Sequence, residues 1–191
     1  MKRRKAIGVL LVAGGGIAVA AGGVEWYSLE RKPDLEYLLG KKDLLTDIAE
    51  TIIPATDTPG AREAGVVNFL IPILTECTPR KTLNQFIRGL EDLESHTRSA
   101  FNKEFSACNA QQRESALEYF ENKESRRTGL LAKVKRHFLG DTFIVTLKQY
   151  VVESYCISEK GATLGLSYLP VPGKFLPCMP IEPNQKAWAT K

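Results

Sequence analysis

Reactive side chains are scarce in this sequence. It has two histidines, His96 and His137, and neither lies in a recognisable motif. His96 stands among Glu94, Ser95, Thr97 and Arg98, and His137 follows Lys133, Lys135 and Arg136, so both are expected on solvent-facing helix surfaces. No Gly-x-Gly-x-x-Gly follows a strand, which leaves dinucleotide or flavin binding of the Rossmann type without support. Neither a Cys-x-x-Cys-His for covalent haem nor a serine nucleophile elbow is present. The acid pairs Asp47–Glu50 and Glu91–Glu94 fall on charged helix faces and read as solvation. The expectation is a chain with no catalytic, cofactor-binding or metal site, and no enzyme on its own.

Net charge is also absent from most of the chain. The formal +4 is supplied by Lys2, Arg3, Arg4 and Lys5, and the other 22 basic side chains balance 22 acidic ones. A neutral body has little electrostatic attraction for phosphate backbones, so nucleic acid is excluded as a partner. The basic residues instead precede an uncharged run of 19 residues, Ala6 to Val24, with eight branched aliphatics, five alanines and six glycines. As a helix, such a run reaches about 28 Å, close to the hydrocarbon thickness of a bilayer. Together with Ala18-Val19-Ala20 it reads as an export signal, cleaved or kept as a membrane anchor. The Arg3-Arg4 pair suggests the twin-arginine route. Ala6-Ile7 stands where Phe-Leu usually follows, so Sec export stays open. The expected location is the periplasm or the periplasmic face of the inner membrane.

Cysteine is sparse and irregular. Cys77, Cys108, Cys156 and Cys178 form no Cys-x-x-Cys and no zinc-finger spacing with histidine. In an exported protein they read as one or two disulfides, with Cys156–Cys178 closing the shortest loop; four free thiols are the alternative.

What the chain has in plenty is helical periodicity. With 191 residues it suits one domain plus a targeting segment. Residues 1–24 form the signal or anchor, 25–40 a connector, 41–165 a helical domain and 166–191 an extended C-terminal arm. Leu44, Leu45, Ile48, Ala49, Ile52 and Ile53 share one helical face, ended by Pro54. Thr58 and Pro59 predict an N-cap and first turn, with a short helix to Ala64 stopped at Gly65. Val66–Cys77 predicts a buried helix bent or begun near Pro72. Leu83, Phe86, Ile87, Leu90, Leu93 and Phe101 form the next stripe. Asn109 and Gln112 predict a capping box opening a helix over Ala110–Asn122. Leu130, Leu131, Val134 and Phe138 form another stripe, and Phe143, Ile144, Leu147, Tyr150 and Val151 predict a last helix to about Tyr155. Beyond it, Tyr168 to Pro180 holds four prolines in thirteen residues, which excludes helix and predicts a polyproline-like arm. The fold class is therefore all-α, a compact helical domain between an N-terminal signal or anchor helix and a proline-rich arm.

Two blocks carry a family resemblance. One is Ile52-Ile53-Pro54-Ala55-Thr56-Asp57-Thr58-Pro59-Gly60-Ala61 followed by Ala64-Gly65-Val66. The other is Tyr155 to Gly161 with Leu166-Ser-Tyr-Leu-Pro-Val-Pro-Gly173 and the late Trp188. In order and separation they resemble the gluconate 2-dehydrogenase subunit 3 family, over roughly residues 40 to 190. The resemblance implies a non-catalytic accessory subunit of a FAD-dependent sugar or alcohol dehydrogenase, with FAD in a flavoprotein large subunit. It implies that large subunit as the partner, a cytochrome c subunit as a further candidate, and a role in maturation and export. Pro54, Asp57, Pro59, Gly60, Tyr168, Pro170, Pro172, Gly173, Phe175 and Trp188 are the expected partner interface. The competing expectation is a self-sufficient, envelope-anchored helical binding or scaffold module, with an enclosed pocket.

Overall fold

In the computed structural model the apolar stripes of the described residues lie on helices. The structure describes residues 27–125, 141–171, 173, 178, 180 and 183–189. Among these the chain is all-α, with short 3₁₀ and π turns and one isolated bridge between Ser167 and Trp188. The leader with Arg3 and Arg4, the Leu130–Phe138 stripe with His137, and the arm residues Pro172 and Phe175 lie outside the described residues.

Helix α1, Leu35–Gly40, is capped by Asp34, whose Oδ1 accepts the Tyr37 amide at 2.9 Å. Its Leu38 is fully buried, so a stretch whose polarity suggests a connector contributes to the core. Helix α2, Lys42–Ile52, buries Leu44, Leu45, Ile48 and Ala49, and the chain turns extended at Ile53, where Pro54 disfavours another helical residue. Helix α3, Val67–Pro72, passes directly into a π turn, Ile73–Cys77. The bend near Pro72 therefore takes the form of a wider turn. Thr75 Oγ1 bonds the Ile71 carbonyl at 3.0 Å and Thr78 Oγ1 the Ile73 carbonyl at 2.9 Å.

Helix α4, Arg80–Phe101, buries the Leu83, Phe86, Ile87, Leu90 and Leu93 stripe and ends on Asn102, at φ 52°. A 3₁₀ turn, Phe105–Ala107, leads to α5, Ala110–Ser125. The capping box at its start is reciprocal: Gln112 N donates to Asn109 Oδ1 at 2.8 Å, and Asn109 N to Gln112 Oε1 at 3.1 Å. The last helix, α6, Phe143–Ile157, packs against α2, α3, α4 and α5 and is the hub of the bundle. Phe143 meets Phe86 of α4 at 5.4 Å and Phe120 of α5 at 5.8 Å between ring centroids. Each such buried side chain contributes roughly 1.5–3 kcal/mol. An exposed ion pair such as Lys148–Glu121 contributes roughly 1 kcal/mol or less, so the apolar stripes hold the bundle together.

Two side chains outside the stripes are also enlisted. His96, expected in solvent, is half-buried and stacks on Tyr119 at 4.0 Å, joining α4 to α5. Tyr37 donates its hydroxyl to Glu94 at 2.9 Å, and Lys41 pairs with the other carboxylate oxygen at 2.7 Å. Burial first, and then the Glu94 carboxylate, push the Tyr37 phenol well above its ordinary value and keep it a donor.

Candidate functional site

Asp47 and Glu50 lie one turn apart on α2, and their carboxylates are directed at the segment that follows the helix. Glu50 Oε2 accepts the Arg62 amide at 2.8 Å and Oε1 the Ala55 amide at 3.2 Å. One carboxylate thus bridges the two limbs of the Pro54–Ala61 loop. The Ala61 amide donates to the Ile53 carbonyl at 2.9 Å and closes its base. Gly60 is buried against the bridge, and a Cβ there would fall 2.6 Å from both the Ala55 amide nitrogen and Glu50 Oε1. No other residue type fits without displacing the carboxylate.

Asp47 secures the same loop from the side. Its Oδ1 lies 2.5 Å from Arg62 Nη2 and 3.6 Å from Arg113 Nη1. Arg113 also donates from Nε to the Phe105 carbonyl at 3.1 Å and from Nη2 to the Ser106 carbonyl at 2.6 Å. The acid pair read from sequence as surface solvation is therefore a clamp. Its oxygens are engaged by backbone amides and guanidinium groups of the same chain.

The short helix expected from Thr58 to Ala64 is reduced to a single turn. Thr58 does not cap it: the Thr58 amide approaches Thr56 Oγ1 at 3.5 Å, and Thr56 Oγ1 donates to Asp57 Oδ1 at 3.0 Å. Glu50 takes the capping role from the preceding helix. The stop at Gly65 holds, at φ 66°, with Val66 N bonded to the Ala61 carbonyl at 3.0 Å and Gly65 N to the Arg62 carbonyl at 3.1 Å. That pair of bonds is a Schellman motif.

The second sequence block reaches the first across 96 positions. Tyr155 of α6 donates its hydroxyl to the Pro59 carbonyl at 2.8 Å. Lys160 pairs with Glu63 at 2.9 Å. A π turn, Gly161–Gly165, follows α6, and Gly165 lies so close to the Tyr155 ring that a Cβ would come within 2.4 Å of the hydroxyl oxygen. From there Lys186 Nζ donates to the Leu164 carbonyl at 2.6 Å, and Ser167 exchanges backbone bonds with Ala187 and Ala189 at 2.8 and 2.9 Å. Residues 186–189 thus return beside residues 164–167.

Of the interface residues expected from sequence, Pro54 and Asp57 are exposed at the loop tip, while Pro59 is half-buried and Gly60 buried. Tyr168, Pro170, Gly173 and Trp188 are exposed on the C-terminal segment. Pro59 and Tyr155 join the two blocks; the tip itself is polar. On the C-terminal segment, Leu164, Tyr168, Leu169, Val171 and Trp188 are exposed apolar side chains, between 45 and 78% accessible. Glu50, Asp47 and Arg113 were missed by sequence reasoning. The available signal was an acid one turn before a proline-bounded loop containing a glycine.

The expected disulfides do not form: Cys77, Cys108, Cys156 and Cys178 are all free. Cys108 is buried after the 3₁₀ turn, Cys77 and Cys178 are exposed, and Cys156 lies half-buried on α6. They are dispersed over separate elements, whereas a disulfide needs Cα atoms within roughly 7 Å and Cβ atoms facing each other. Among the described residues no three His, Cys, Asp or Glu side chains group as metal ligands, and no helix is long and apolar enough to cross a membrane.

The family model described as Gluconate 2-dehydrogenase subunit 3 matches residues 40–173, from the end of α1 to the C-terminal segment, including the Glu50 clamp, the loop and Tyr155. No curated protein and no solved structure matches. With a match over more than half of its length, the chain belongs to the gluconate 2-dehydrogenase subunit 3 family.

Proposed function

We propose that this chain is the non-catalytic small subunit of a FAD-dependent sugar or alcohol dehydrogenase, bound to the flavoprotein large subunit that carries the FAD and oxidises the substrate. The family assignment makes it a subunit of a dehydrogenase complex. The observation that supports a docking role is the apolar surface of Leu164, Tyr168, Leu169, Val171 and Trp188 beside the loop fixed by Glu50 and Tyr155. Side chains of this size left in water together mark a surface that another protein covers. In this reading the chain assists maturation of the large subunit and takes it to the periplasmic face of the inner membrane through its own leader, with a cytochrome c subunit receiving the electrons.

The test is co-purification. The full chain, tagged and recovered from its native membranes in mild detergent, is expected to bring down a larger polypeptide with a flavin absorption spectrum. Recovery of the chain alone, or with partners that carry no flavin, would overturn the proposal.

A further inference from the structure

We propose that Tyr27, Leu35 and Leu39 rest on a phospholipid surface, beside a leader that is retained as a membrane anchor. Leu35 and Leu39 are one turn apart on α1 and are 36 and 55% exposed, whereas Leu38 between them is completely buried. Tyr27 is 63% exposed. These side chains cannot turn inward, because the backbone that bears them is pinned to α4. Arg88 Nη2 donates to Ser28 Oγ at 2.8 Å, and Asn84 Nδ2 donates to the Leu29 and Arg31 carbonyls at 2.7 and 2.8 Å. Further along, Glu94 holds Tyr37 and Lys41 at 2.9 and 2.7 Å. Arg88 and Glu94 are separated by about 9 Å along the helix axis, so the segment after Tyr27 and α1 both pack along α4.

The chain outside this region identifies what covers it. The uncharged 19-residue run ends at Val24, three residues before Tyr27. Three residues span roughly 10 Å at full extension, so Tyr27 stays within about that distance of any surface the run enters. The intervening residues are Glu25 and Trp26, and Trp26-Tyr27 is the aromatic pair expected at the headgroup level beside an apolar span. Four basic residues precede the run and no acid, which orients the folded body to the opposite face. The six glycines make the run a weak anchor by itself, and a second contact with the interface compensates, as it does for proteins that need two membrane signals. This inference does not depend on a flavoprotein.

Two measurements test it. The mass of the full chain recovered from native membranes is expected to include residues 1–24; a mature chain beginning after Ala20 would overturn the anchor. The purified full chain, without any partner, is then placed in nanodiscs of phosphatidylcholine and phosphatidylglycerol that carry a nitroxide headgroup lipid. The methyl resonances of Leu35 and Leu39 are expected to broaden several-fold more than those of Leu164. Equal broadening overturns the proposal, and so does protection of the α1 methyls from the lipid label, which would mean that the leader itself folds over them.

Discussion

Two stretches of this chain are dense in proline and glycine, yet they relate to the body in opposite ways. Residues 54–65 are gripped by two helices: by Glu50 and Asp47 of α2, the latter through Arg62, and by Tyr155 of α6. Residues 164–171 and 183–189 are joined by the Ser167 bridge and by Lys186 on the Leu164 carbonyl, and they leave Tyr168, Leu169, Val171 and Trp188 in water. The same residue types form part of the protein's own framework in the first stretch and spare surface in the second. Polar acceptors from neighbouring helices make the difference. Ala61 and Ala64 are buried at the end of the first stretch, and the amides of Ala55 and Arg62 find their partner on α2.

The comparison breaks first at Gly60. Gly60→Val places a branched side chain where a Cβ alone would meet the Ala55 amide and both Glu50 oxygens within 2.8 Å. The expected loss is about 3 kcal/mol, from strain together with displacement of the carboxylate. A denaturant midpoint equal to that of the parent chain would contradict the clamp. Glu50→Ala follows, leaving the Ala55 and Arg62 amides without their acceptor, and is expected to cost about 2 kcal/mol. The Arg62 amide should exchange with solvent much faster in that variant, while Leu90 in α4 keeps its protection. Equal acceleration at both sites would show global loosening and no local clamp.

Which of these features were legible follows from the kind of signal each leaves. Apolar stripes are periodic, so Leu44 to Ala49, Leu83 to Leu93 and Phe143 to Val151 announce α2, α4 and α6 and their buried faces. The Asn109–Gln112 box is equally local and is found as expected. Glu50 leaves no such trace, because a carboxylate serving amides five and twelve residues onward has no period and resembles any exposed acid on a helix. Tyr155 belongs to a recognisable block, but its partner is 96 positions away. The polar sequence neighbours of His96 predict a solvated face, whereas its neighbour in space is the Tyr119 ring. The cysteines mislead for a related reason: an even number and an export signal favour disulfides, but pairing depends on a proximity that spacing does not encode.

A finer cut separates the two ways the loop is held. Tyr155→Phe keeps the ring against Gly165 and removes the hydroxyl that reaches Pro59. One part-buried hydrogen bond is worth about 1 kcal/mol, so the melting temperature should fall by a few degrees. A loss as large as that of Glu50→Ala would make the second block, and not α2, the principal support of the loop.

The smallest expected effect on stability is at Trp188, and there the comparison turns from folding to binding. Trp188 is 48% exposed, and the bridge it forms with Ser167 uses backbone atoms that a substitution retains. Trp188→Ser should therefore change stability by no more than about 0.5 kcal/mol. If the C-terminal surface serves the chain's own fold, nothing else should change. If it is spare surface for a flavoprotein, the same substitution should reduce the flavin recovered with the tagged chain many-fold, since aromatic anchors dominate interfaces of this kind. Gly60→Val should also reduce flavin recovery, but in proportion to the folded fraction. Dividing flavin recovered by folded chain separates the two variants: the ratio stays at the parent value for Gly60→Val and falls for Trp188→Ser.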